Sequence, residues 1–363
     1  MNPPGPLPPG PRTPQGAPHG TPSDAPALTR RGFLRKGTAA VAGVSAVAGA
    51  LSPLRRLDPD DLPSFEQLFQ KHYKEMTAEE KQAALARIAA EVERRHHVRP
   101  TVSDPPPLAG VEYVYALNIS RCIGCRKCVH ACVRENNQSR APEIQYIRVL
   151  KMQKGSIDVE TAEHHYRPAL VPEHDSYYMP VQCHQCKQPP CVKVCPVEAT
   201  WQEPDGITVI DYDWCIGCRY CEAACPYWAR RFNFSEPTIP EGELNPQIAY
   251  LSNRPRRKGV MEKCTYCLHR VRLGRMPACV EVCPTGSRKF GNVLDPDSEV
   301  RYILEHKRVY VFKEDVGTLP RFFYYFDERG SRYHEPIAPV RPAGEAESEA
   351  TGALPAREAA DDR

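Results

Sequence analysis

No apolar run in the 363 residues reaches the ~18 needed to cross a bilayer; the longest, from Thr38 to Leu51, has signal-peptide length. The mature chain is therefore expected to carry no membrane span. A G-x-G-x-x-G run is also missing, and with it the fingerprint of a flavin or nicotinamide site. None of the C-x-x-C pairs is followed by His, so no c-type haem attachment is expected. The net charge is only +3, with 26% charged residues, and nothing marks a nucleic-acid binder. Cysteine is absent before position 122 and after 283, and sixteen in 363 residues fall well short of the roughly 8–10% of a small disulfide scaffold.

The length allows about two domains, and composition divides the chain. Ten of the 38 prolines lie in the first 28 residues, which read as disordered because they cannot bury a core. Arg30 and Arg31 follow, then Phe33, Leu34, Arg35 and Lys36, a stretch of small apolar residues, and Ala-Gly-Ala at 48–50. Charged, then apolar, then small is the order of an export signal. The arginine pair fits the twin-arginine type, with an ordinary secretory signal or a chance pair as alternatives. Cleavage is expected after Ala50, although the segment would also serve as a retained anchor. Residues 51–110 form a helical spacer and a Pro-rich linker. Within 64–97 the pattern is helical, with Thr77 and Glu80 as a capping box and Leu85, Ile88 and Val92 at helical spacing. His96 and His97 end it, either on a docking arm or on a surface helix. Residues 111–325 hold all the cysteines, and 326–363 read as a disordered tail.

The cysteines fall into four groups. Cys122, Cys125, Cys128 and Cys132 have the spacing C-x2-C-x2-C-x3-C, as do Cys215, Cys218, Cys221 and Cys225. Cys183, Cys186, Cys191 and Cys195 are C-x2-C-x4-C-x3-C, and Cys264, Cys267, Cys279 and Cys283 are C-x2-C-x11-C-x3-C. Pro follows the last cysteine of every group but the first, where Val133 stands instead. A tight loop of three cysteines curls round one iron–sulfur cube; the fourth, expected at the start of a helix, points away and ligates the other cube of a pair. Four groups then make two pairs, four 4Fe-4S clusters in all. Zinc sites use pairs set far apart, and cysteines two residues apart rarely bridge without strain. Between groups two and three, Pro204-Asp205-Gly206 is a turn signal between two short strands. The expected fold class is α+β: two bacterial-ferredoxin-like dicluster modules of short hairpins and helices, with an N-terminal helical segment and disordered termini.

On these sixteen cysteines, residues 111–325 resemble the four-cluster iron–sulfur subunits that accompany polysulfide reductase, formate-dependent nitrite reductase and the sulfite-reductase-associated membrane complex. The beta subunits of dimethyl sulfoxide reductase and formate dehydrogenase are similar. The resemblance implies a crossed ligand pattern. Cys122, Cys125 and Cys128 would bind one cube with Cys283; Cys264, Cys267 and Cys279 would bind another with Cys132. Cys183, Cys186 and Cys191 would take Cys225, and Cys215, Cys218 and Cys221 would take Cys195. It also implies an electron-relay subunit without a catalytic residue of its own. Its partners would be a polytopic quinone-interacting membrane subunit and a molybdenum-containing or multihaem protein, on the periplasmic face. Twin-arginine export moves folded protein, so clusters built in the cytoplasm would cross intact. A self-contained cluster reductase and a zinc-held structural protein are the alternatives. Two stretches stay open. Arg254, Arg256, Arg257 and Lys258 would tune a cluster, dock a partner or form a solvated loop. The aromatic run 317–326 would cover a cluster, meet a membrane subunit or form a core strand.

Overall fold

The computed structural model describes residues 71–159 and 161–327. The leader expected over 1–50, the start of the helical stretch at 64–70 and the tail beyond 327 lie outside them. The first long element is α1, Ala78–His96. Thr77 accepts from the Glu80 N–H while the Glu80 carboxylate accepts from the Thr77 N–H, so the capping box forms as the sequence predicts. Glu79 and Glu80 sit at its positive end, and His97 closes the other in the left-handed region at φ 55°. Its buried stripe is Ala84, Ile88 and Val92; Leu85 is only half-buried against the same core.

This helix is attached to the body. Strand β1 (Thr101–Ser103) pairs in parallel with β8 (Gln247–Ala249). The rings of His72 and Tyr73 lie 5.4 and 5.5 Å from Trp201, and Arg87 reaches Asp213 at 3.4 Å.

The largest sheet has four strands in the order β10–β2–β12–β11. At its centre β2 (Tyr113–Asn118) is buried on both faces. It runs antiparallel to β10 (Arg288–Asn292) and parallel to β12 (Phe322–Tyr325), whose other edge carries β11 (Val309–Tyr310). Side chains alternate across it. Tyr113, Tyr115 and Leu117 join the main core, and Tyr115 stacks on Phe322 at 4.6 Å. Val114 and Ala116 face α7 (Glu299–His306) through Val300 and Ile303. The aromatic run is thus a core strand: Phe322 and Tyr324 are fully buried.

The other strands are short ladders. β3 (Arg148–Gln153) pairs with β4 (Ser176–Val181). The hairpin predicted around Pro204-Asp205-Gly206 forms from β5 (Thr200–Gln202) and β6 (Thr208–Ile210), with Gly206 at φ 82°. β7 (Arg230–Phe232) pairs with β9 (Met261–Lys263). Together these elements give the α+β, ferredoxin-like class.

Replacing Thr77 by Ala removes one half of the capping box and is expected to cost about 1 kcal/mol. Hydrogen exchange should therefore speed up roughly fivefold in the first turns of α1. Unchanged exchange there would mean that the packing of Ala84, Ile88 and Val92 alone sets the stability of the helix.

Candidate metal centres

Each cysteine group is a turn followed by a helix. The helices are α2 (Lys127–Glu135), α3 (Pro190–Lys193), α4 (Tyr220–Ala223) and α6 (Ala278–Glu281); in group four a further short helix, α5 (Leu268–Val271), fills the long spacing. The sequence places the fourth cysteine at the start of a helix. The structure instead begins the helix at or just before the third cysteine, and in three groups the fourth lies past its end. Proline explains where three of the helices end, because the residue before Pro is pushed out of the helical region. Pro196, Pro226 and Pro284 stop their helices short. Group one has Val133 there, and α2 runs on through Cys132 for nine residues.

The residue before the second cysteine has a positive φ in all four groups: Gly124 (73°), Gln185 (44°), Gly217 (69°) and Tyr266 (54°). That left-handed turn folds the backbone N–H groups inward as an anion-binding concavity. The N–H of Gly124 donates to Cys122, that of Gly217 to Cys215 and that of Tyr266 to Cys264 (3.4 Å to Sγ).

Two cavities show which thiols meet. One is lined by Cys183, Cys186, Cys191 and Cys225. The other is lined by Cys195, Cys215, Cys218 and Cys221. Each therefore draws three cysteines from one group and one from another. Groups one and four approach in the same way. Asn136 Nδ2 is 3.6 Å from both Cys132 Sγ and Cys267 Sγ, and Gln138 Nε2 donates to Cys132 Sγ at 3.2 Å. Burial, then the neighbouring Cys264, Cys267 and Cys279, hold the Cys132 thiol well above its usual range. Cys122, pushed up to about 12 mainly by burial, lies in the field of Cys128 and Cys283. Cys125 sits half-buried on the turn between Cys122 and Cys128.

Burial likewise raises Cys186 to about 12 and Cys221 to about 11. Cys283 goes the other way: burial would raise it, but the Thr285 hydroxyl and the Arg288 charge outweigh that. Without a cation, most of these groups would hold neutral thiols, whereas the thiolate is the ligand. The donor set thus fits a group that displaces protons on binding. Among the described residues, no three His, Cys, Asp or Glu gather as ligands of a single ion; the thiols ring spaces instead of points. Solvent access differs between sites. Cys132, Cys264, Cys267 and Cys279 are all buried, whereas Cys218 is exposed, with Ile216 and Tyr220 exposed beside it.

Sequence comparison agrees with this geometry. Residues 121–199 match a 4Fe-4S dicluster domain family, and residues 174–240 and 249–293 match a second family of the same description. The Hdr-like menaquinol oxidoreductase iron-sulfur subunit 1 of Archaeoglobus fulgidus is 37% identical over 239 residues, covering 58% of this chain and 82% of that one. The putative dimethyl sulfoxide reductase iron-sulfur subunit of Halobacterium salinarum is 42% identical over 220 residues, covering 58% and 78%. The menaquinone reductase iron-sulfur cluster-binding subunit of Nitratidesulfovibrio vulgaris is 37% identical over 242 residues, covering 59% and 88%. The chain belongs to the ferredoxin-type family of iron–sulfur electron-transfer subunits. Its two dicluster domains and sixteen cysteines fit four 4Fe-4S clusters.

The structure corrects the reading of the basic run before group four. Arg254 and Arg256 are buried ion-pair partners, of Asp213 at 2.9 Å and Glu262 at 3.0 Å, and belong neither to a solvated loop nor to a docking surface. Only Lys258 of the run is exposed. The basic residues that do lie among the thiols are others. Arg230 lines both cavities and donates from Nη2 to Cys191 Sγ at 3.0 Å. The signal was present as an internal repeat: Cys-Pro-x3-Arg-basic-Phe occurs at 225–232 and again at 283–290, placing Arg230 and Arg288 in equivalent positions.

Gly217→Ala adds a Cβ that would meet the Gly259 carbonyl, at a φ that L side chains rarely adopt. Iron per chain is expected to fall by about one cube, four irons, on anaerobic metal analysis. Gly274→Ala, at a positive φ but with nothing near its Cβ, should keep full iron. Equal iron in both would show that the turn of group three does not depend on its close approach to Gly259.

Proposed function

We propose that this chain relays single electrons through four 4Fe-4S clusters, between a quinone-interacting membrane subunit and a molybdenum-containing or multihaem partner, in an exported respiratory complex. The observation that carries the reading is the pair of cavities, each ringed by four cysteines drawn three and one from two groups. When bound, the clusters take up and release one electron at a time. The chain's own contribution is to supply the thiolates, aim backbone N–H groups at them and exclude water. In this reading Cys183, Cys186, Cys191 and Cys225 hold one cube, and Cys195, Cys215, Cys218 and Cys221 the next. Cys132, Cys264, Cys267 and Cys279 hold the third, and Cys122, Cys125, Cys128 and Cys283 the fourth.

Relatives named as menaquinol oxidoreductase and menaquinone reductase subunits support a quinone-linked partner. Among the described residues no helix is long and apolar enough to cross a membrane, so in this reading attachment runs through that partner. The exposed surroundings of Cys218 make its cube the one nearest to solvent, and the buried set around Cys132 gives an interior relay point.

Metal analysis of anaerobically purified protein is expected to give about sixteen irons per chain; about four, or stoichiometric zinc, rejects the cluster reading. Cys225→Ser then separates the two wirings. The altered cube should be the one surrounded by Cys183, Cys186 and Cys191, seen in the structure of the variant and as a new 3Fe EPR signal. An altered site inside the loop of Cys215, Cys218 and Cys221 rejects the crossed assignment.

Replacing Arg30 and Arg31 together by Lys should leave the protein in the cytoplasm with its clusters intact. Normal export of the double variant, followed by fractionation and immunoblotting, would rule out the twin-arginine route.

A further inference from the structure

Nine Arg and Lys side chains are buried among the described residues. Six are paired with carboxylates: Arg254 with Asp213, Arg256 with Glu262, Arg270 with Glu135, Arg272 with Asp205, Lys289 with Glu299, and Arg321 with Glu112. The other three are Arg230, Lys263 and Arg288, and their hydrogen bonds go to neutral groups or to sulfur. Arg230 donates to Thr200 Oγ1 and Cys191 Sγ, each at 3.0 Å. Lys263 donates to the Cys264 carbonyl at 2.7 Å. Arg288 donates to Tyr115 Oη and Gln182 Oε1, each at 2.8 Å. Arg230 Nη1 and Arg288 Nη2 are buried without a partner.

A buried charge without a counter-charge costs several kcal/mol. The cost is compounded here, because Arg230 on β7 stands directly opposite Lys263 on β9, and like charges facing each other across a ladder repel. The anions that face these three cations come from the cysteine groups. Arg230 and Lys263 both act on Cys183 and Cys191, Arg230 also on Cys221, and Lys263 also on Cys264. Arg288 acts on Cys122, Cys128 and Cys283, and on Cys279 as well. A cube with a 2+ core and four thiolates carries a net charge of about −2, and reduction adds one more negative charge.

We propose that Arg230, Lys263 and Arg288 are dedicated counter-cations of the clusters, and that they raise the reduction potentials of the cubes whose cysteines they face. Arg230, lining both cavities, acts on two cubes at once; Arg288, at the equivalent repeat position, acts chiefly on the cube of Cys122, Cys125, Cys128 and Cys283 and also faces Cys279 of the neighbouring one. The two arginines give groups three and four the same electrostatic device five residues after the fourth cysteine. This rests on the reading of the cysteine groups as cluster ligands.

The test is an anaerobic redox titration followed by EPR on the full chain with its clusters in place. Arg230→Gln should keep full iron and lower at least one midpoint potential by about tenfold in its reduction constant, about 59 mV for a one-electron couple. Arg230→Lys should stay within about threefold of the parent, and Arg288→Gln should shift a different cube from Arg230→Gln. Unchanged potentials in both Gln variants at full iron overturn the proposal. If the Gln variants lose iron, the charge-keeping Arg230→Lys and Arg288→Lys decide: retained iron supports a role for the charge, and equal loss overturns it in favour of side-chain shape. A parent protein with far fewer than sixteen irons would instead reject the underlying cluster reading.

Discussion

Each C-x2-C turn has to aim two sulfurs at one space, and the backbone does so by turning left-handed at the residue just before the second cysteine. Gly124 and Gly217 do this at no steric cost and lie so close to Tyr178 and Gly259 that a side chain would collide. Gln185 and Tyr266 do it with a Cβ, which the surrounding contacts must hold in place. Gln185 is held from both sides, donating to the Cys264 carbonyl and accepting from the Thr208 N–H, each at 2.8 Å. Tyr266 is buried between Tyr115 and Phe290. Where the turn is strained, the core carries the strain.

The rest of the body is built from pieces too small to stand alone. Strands β5 to β9 have three residues each, and α3 to α6 have four. Isolated ladders of that size are marginal in water. They are held by buried tyrosines, by ion pairs such as Arg272 with Asp205, and by the four-stranded sheet around β2. With bound clusters, the thiols would join these pieces as covalent nodes, and folding and metal loading would then be one process.

Much of this was legible in the sequence because it is local. The cysteine spacing, the Thr77 capping box and the turn at Pro204-Asp205-Gly206 each sit within a few residues, and the capping box and the turn form as read. What the sequence leaves open or misses is mostly long-range. Arg254 and Arg256 look like a solvated run until Asp213 and Glu262 fold against them. Of the readings left open for the aromatic run 317–326, the core strand is the one that forms, because β12 inserts beside β2, about 200 residues away. On α1, Ala84 is buried while the larger Leu85 is only half-buried. The ends of the cysteine helices shift for a local reason: Pro196, Pro226 and Pro284 stop three of them short of the fourth cysteine.

The closing of the large sheet bears on the order of events during synthesis. The thiols around the two cavities all come from residues 183–225, so a nascent chain holds every one of them early. Cys122, Cys125 and Cys128 emerge first of all, yet their neighbour Cys283 and the strands β10 and β12 that brace β2 come last. The earliest thiols on the ribosome are thus the last to find their surroundings, and throughout that interval they wait without the neighbours that bury them.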